Sequence, residues 1–156
     1  MTQYNRWSHP HDIDKRYAKK VAYFSMEFAI HQALKTYSGG LGFLAGSHMR
    51  SAFDLRQDMI GIGMLWKYGY YDQERSEDQT MRVLFQKKFY NFLEYSGITV
   101  EVEVNDHPVL VRAMVLKPEI FGTVPMYFLT TEVPENDHLA QTITQRLYDP
   151  EPMARI

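Results

Sequence analysis

The order of patterns along the chain predicts an α/β fold, a β-α-β unit followed by an antiparallel β meander. Three observations carry it. Val21–Met26 and Met59–Trp66 are short, nearly continuous apolar runs, as expected of strands buried on both faces of a parallel sheet. Between them Leu41, Leu44, Ala45, Met49, Ala52 and Phe53 recur close to the i, i+3, i+4 spacing of one buried helix face. Farther on, Ile98–Val104 sets apolar residues against Thr99, Glu101 and Glu103 at period 2, the pattern of a half-exposed strand.

Each element follows in turn. Residues 1–19 are polar, include His9-Pro10-His11, and read as an arm before a single partial domain over residues 20–156. The first strand ends at Glu27, and the helix begins at the glycines 39, 40 and 42. After the second strand the chain turns aromatic and charged, through Tyr68-Gly69-Tyr70-Tyr71-Asp72-Gln73 to Val83-Leu84-Phe85. Asn105-Asp106-His107-Pro108 is a turn signal between the strand at 98–104 and another at 109–115. A third strand at 124–130 completes the meander, with Pro125 marking an edge or a strand start. Pro134–Asp137 then leads into a short helix from about His138 to Tyr148. The last residues, Asp149–Ile156, break off as a new helix begins, so a larger domain is expected around this chain.

Composition excludes several function classes. The chain has 156 residues, a net charge of -2 and no cysteine. That length suits one domain with its own core. Without a basic stripe interleaved with aromatics, neither nucleic acid nor an anionic membrane is an expected partner. Disulfides, thiolate metal sites and thiol nucleophiles are excluded, and a cytoplasmic location is the expectation. The amino terminus lacks an apolar leader, and no run is long enough to span a bilayer as a helix.

The chemistry concentrates at Ser38-Gly39-Gly40-Leu41-Gly42. Amides at a helix start lack intrahelical acceptors and carry the positive end of the dipole, so a loop without side chains lets an anion approach. The glycines equally suit a tight turn with close helix-to-sheet packing. Gly40-x-Gly42-x-x-Ala45 matches a loose dinucleotide fingerprint. It does not directly follow its strand, however, and no acidic residue ends the next one. A P-loop fails for want of Lys-Ser or Lys-Thr after the glycines. Glu27, at a strand end, either holds the loop amides or meets a ligand directly. His48 reads as a helix-surface or packing residue rather than a catalyst. Glu101 and Glu103 share a solvated strand face. In the group Glu135, Asp137 and His138, a helix N-cap at Asn136 or Asp137 competes with a metal site. Tyr68, Tyr70 and Tyr71 suit either sugar stacking or the cover of a sheet edge.

Taken together, Val21–Phe28, Tyr37–His48, Ser51-Ala52-x-Asp54-Leu55, Gly61-Ile62-Gly63, Tyr68–Gln73, Asp137-His138-Leu139 and Leu147-Tyr148 resemble the amino-terminal part of the α-glucan (glycogen, starch, maltodextrin) phosphorylases, most closely the shorter bacterial type. The resemblance implies the start of the first Rossmann-like domain of a GT-B glycosyltransferase. The whole enzyme would transfer a terminal α-1,4-linked glucosyl unit to inorganic phosphate, giving glucose 1-phosphate, with pyridoxal phosphate as cofactor. By position, Gly39, Gly40 and Leu41 would lie against the substrate phosphate and glucose, flanked by Ser38 and Gly42, with Glu27 in support. Animal and plant members often carry Asn where Ser38 stands. The family's cofactor lysine follows a Gly-Asn-Met motif, and no lysine here has that context. The expectation is therefore no catalytic residue in this chain, no covalent cofactor, and no activity of the chain alone. Its expected partners are the remainder of the GT-B fold and other copies of itself in a homo-oligomer. A glycogen or starch synthase piece and a non-catalytic carbohydrate-binding or regulatory domain are the competing readings.

Overall fold

The computed structural model describes residues 12 and 14–148. His9-Pro10-His11, most of the expected arm, and the expected break over residues 149–156 lie outside the described residues.

β1 (Val21–Phe24), α1 (Gly40–Asp54) and β2 (Met59–Met64) form the β-α-β unit, with β1 and β2 parallel from Val21 opposite Met59 to Phe24 opposite Ile62. The aromatic and charged stretch that follows folds as a separate antiparallel ribbon of β3 (Asp72–Arg75) and β4 (Met81–Leu84). β5 (Glu94–Val104) and β6 (His107–Leu116) make a hairpin around Asn105 and Asp106, whose φ values are 51° and 60°. Two left-handed residues give the turn whose twist matches that of the flanking strands. A single turn of helix, α2 (Pro118–Phe121), leads to β7 (Met126–Thr130). β7 pairs antiparallel with β6 and parallel with β2, giving the sheet order β1-β2-β7-β6-β5. The unit and the meander thus share one sheet. Pro125 stands just before β7, at the strand start, and its carbonyl accepts the Gly61 amide at 2.9 Å.

One face of this sheet is covered. α1 lays Ala45, Met49 and Ala52 on it, all buried. The β2 glycines allow the close approach, because a Cβ on Gly61 would stand 3.0 Å from Met49 Sδ and one on Gly63 2.8 Å from the Phe28 ring. Phe28, Leu34, Met49, Leu116, Met126 and Phe128 form the centre of the core. On the other side, Phe24, Met26, Ile62, Met64 and Leu129 line an open apolar groove of about 310 Å³. Here the expectation for β1 is corrected. Among the described residues it is an edge strand rather than one buried on both faces, with Val21 exposed and Phe24 70% exposed.

The last helix, α3 (His138–Thr142), is also shorter than its pattern suggested. β-branched Thr142, Ile143 and Thr144 disfavour helix. Thr144 is instead buried, its Oγ1 accepting the Thr131 amide at 3.0 Å.

Candidate functional site

The residues between β1 and α1 double back on themselves. The Phe28 amide donates to the Thr36 carbonyl at 3.0 Å, and the Thr36 hydroxyl returns a bond to the Phe28 carbonyl at 2.9 Å. α1 presses against this fold-back, the Ala29 amide donating to the Gly42 carbonyl at 2.8 Å. Gly46 is required there, since a Cβ would stand 2.2 Å from the Ala29 carbonyl oxygen.

At the centre sits Glu27, only 2% exposed. Its Oε2 accepts the amides of Ser38 at 2.7 Å and Gly39 at 3.2 Å. Its Oε1 accepts the Ser38 hydroxyl at 3.1 Å and the Tyr148 hydroxyl at 2.5 Å. Burial, the largest single influence, pushes the Glu27 carboxyl up, but the donors from Ser38, Tyr148 and Gly39 together outweigh it and hold the group below the usual carboxylate range. Glu27 thus bonds the backbone of Ser38 and Gly39 and the Ser38 side chain.

The predicted loop residues divide into inward and outward sets. Ser38 and the Gly39 amide turn inward to Glu27. Gly42 is buried, and a Cβ on it would stand 2.6 Å from the Tyr37 Cβ. Gly39 and Gly40 are different, because a Cβ on either would meet nothing within 4 Å and neither is among the glycines of positive φ. Packing therefore gives no reason for glycine at 40. α1 has no side-chain cap, and among the described residues no acceptor is recorded for the amides of Gly40 and Leu41. These outward amides carry the positive end of the helix dipole, partly offset by the Glu27 carboxylate beside them.

Tyrosines border the same place. Tyr70 and Tyr71 stand with ring centroids 4.2 Å apart. The Tyr70 hydroxyl is pushed up, first by its hydrogen bond with Tyr71, then by burial and by the negative charges of Tyr71 and Glu27. The Tyr148 hydroxyl is pushed up chiefly by its bond to Glu27. Tyr148 reaches Glu27 because the chain after α3 runs beside residues 66–69. The Tyr68 amide donates to the Gln145 carbonyl at 2.9 Å, and the Leu147 amide to the Gly69 carbonyl at 3.2 Å. Gly69, with φ of 61°, lies against Lys35, whose carbonyl oxygen would be 2.5 Å from a Cβ there. The contact of Tyr148 with Glu27 spans 121 residues, and no local sequence signal announces it.

Other candidates lie apart. His48 is an exposed residue of α1 beside the Tyr23 ring, with centroids 5.1 Å apart. Glu101 and Glu103 are exposed on β5. Asp137 caps α3 by accepting the Ala140 amide at 2.8 Å and also meets His107 Nε2 at 2.9 Å. Asn136 turns inward, bonding both polar backbone atoms of Leu110. Chemically, the site offers outward amides able to donate to an acceptor, and a carboxylate whose oxygens are already engaged.

No family model matches the chain. An uncharacterised protein of Methanocaldococcus jannaschii is 55% identical over 131 residues, which cover 84% of this chain and 25% of that protein. Glycogen phosphorylase of Mycobacterium tuberculosis is 37% identical over 139 residues, 82% of this chain and 16% of its own length. Maltodextrin phosphorylase of Thermococcus litoralis is 34% identical over 163 aligned positions, 99% of this chain and 18% of its own length. The chain thus spans a quarter or less of the length of these relatives. With phosphorylases similar to it over nearly all of its residues, the chain belongs to the glycogen and maltodextrin phosphorylase family, of whose proteins it represents a part.

Proposed function

We propose that this chain supplies one wall of the substrate cleft of a glucan phosphorylase, which moves a terminal α-1,4-linked glucosyl unit onto inorganic phosphate. The observation that carries this reading is the pair Gly39 and Gly40. Among the described residues nothing beyond the local backbone lies within 4 Å of where their Cβ atoms would be, which leaves space at the start of α1 for a group from outside. The contact falls to the amides of Gly40 and Leu41, with Gly39 beside them. Ser38, Gly42 and Glu27 hold those amides in place. In this reading residues 20–156 are part of the first Rossmann-like domain of a GT-B fold, and the rest of that fold closes the cleft.

The charge balance favours a shared site. Glu27 already places a carboxylate at the helix start, so the loop amides alone attract a phosphate weakly, and a glucosyl hydroxyl suits them as well. Cations for the phosphate must come from elsewhere. Pyridoxal phosphate, the family's cofactor, supplies a phosphate group for proton transfer when bound to the whole enzyme. The residues at this site do not form a covalent anchor for it. Lys67 and Lys87 are held by Glu132, Lys88 by Asp72 and Lys117 by Glu94, and among the described residues no lysine side chain bonds the loop. In this reading the chain binds and orients.

The test is a titration of the isotopically labelled chain with glucose 1-phosphate, followed by backbone amide resonances. The Gly40 and Leu41 signals should move, and Gly40→Val should abolish the movement while leaving the fold intact. A response confined to other residues, or a stronger one to a nucleotide sugar, would overturn the assignment.

A further inference from the structure

We propose that Tyr148 is a positioning residue for the glycine loop, acting through Glu27. The proposal rests on the functional reading only for its consequence in ligand binding; the coupling itself is a property of this chain. Three observations bear on it. First, among the described residues Glu27 is the tie between the Tyr148 hydroxyl and the loop. One carboxylate oxygen takes the tyrosine and the Ser38 hydroxyl, and the other takes the amides of Ser38 and Gly39. The two oxygens belong to one rigid planar group, so a donor that fixes the first also fixes the direction of the second.

Second, Tyr148 is not held there as a core residue. It is 42% exposed, so its hydroxyl is the atom with a specific partner. It also adopts φ of 55°, a left-handed backbone that is unfavourable for a bulky residue and that persists only where surrounding contacts compensate. The neighbouring contacts do so. Leu147 is buried at 1% and its amide bonds Gly69, which brings the following residue back towards Glu27.

Third, the groups facing this carboxylate come from three parts of the chain. Ser38 and Gly39 approach from the start of α1, Tyr148 from the segment after α3, and Tyr70 from the segment after β2. All are neutral donors or a neutral phenol, and no cation pairs with Glu27 among the described side-chain contacts. Each lost donor therefore weighs heavily on where the carboxylate points and on how readily it protonates. Tyr148 is the donor that is separable from the loop itself.

The experiment is a carboxyl and amide NMR titration of the whole chain and of Tyr148→Phe, which removes one exposed-edge hydroxyl and leaves the ring. In the unaltered chain the Tyr148 ring signals and the Ser38 and Gly39 amide signals should titrate together with the Glu27 carboxyl. In Tyr148→Phe the Glu27 midpoint should move to higher pH, and hydrogen exchange at Ser38 and Gly39 should quicken several-fold, while the Ile62 and Phe128 amides of the sheet keep their protection. An unmoved Glu27 midpoint, or Tyr148 signals that ignore Glu27 in the unaltered chain, would overturn the proposal. Glucose 1-phosphate is then added to both proteins. If neither binds, the functional reading fails and the coupling stands; if both bind equally although the midpoint has moved, Tyr148 has no positioning role.

Discussion

At the scale of single residues, the start of α1 separates glycines that the chain needs from a glycine that it does not. Gly46→Ala should destabilise the protein by about 1–3 kcal/mol or more, because the new methyl meets the Ala29 backbone rather than a movable side chain; chemical denaturation measures this. Gly40→Ala should leave stability unchanged or raise it by about 0.5–1 kcal/mol, since open space and a helical position favour alanine. Any loss it causes should appear in ligand binding alone. Glu27 gives a pH signature. Its folded value lies below the ordinary 4.5, so the stability it contributes is fully present above that pH and is lost as pH falls through the folded value. Glu27→Gln should cost about 1–3 kcal/mol at neutral pH, by leaving buried donors poorly matched. The difference between the two proteins, followed by denaturant unfolding at several pH values, should shrink in acid.

At the scale of elements, legibility followed the range of the interactions. α1, β2 and the β5-β6 hairpin are local patterns, and each stands where its periodicity placed it, with the hairpin strands a few residues longer at their ends. The Asp137 cap was readable because a capping side chain acts on amides only three residues away. Asp137→Ala should therefore cost about 0.5–2 kcal/mol in a thermal or denaturant melt. β1 was misjudged because an apolar run tells nothing of which neighbours cover it. The end of α3 was misjudged because Thr144 is recruited by β7 and the residues after it. At the site, the glycines and Glu27 were visible as residue types in a suggestive order. Which amides face inward depends on Glu27 reaching Ser38, and Tyr148 depends on a fold-back that no periodicity encodes.

At the scale of the whole molecule, the sheet has a packed face and an open one. Phe24 at 70% exposure and Met26 at 51% border the apolar groove, and Leu41, Phe43 and Leu44 of α1 are also exposed. Such area is more than scattered surface apolar residues account for, and among the described residues no strand pairs with the outer edge of β1. The chain in isolation should self-associate in a concentration-dependent way seen by light scattering, and Phe24→Lys should reduce it. β7 carries a different consequence. Within the sheet it joins the β-α-β unit to the meander, through partners near Gly61 on one side and near Arg112 on the other. The hairpin needs only a two-residue turn to close, whereas β2 must wait for a strand made of residues more than sixty positions later. Loop-closure entropy therefore sets an order of assembly. The β5-β6 ribbon should gain protection before β2 pairs with β7, which pulsed hydrogen exchange at the Val111 and Gly61 amides checks, and on a ribosome the amino-terminal half should emerge early and complete its structure late.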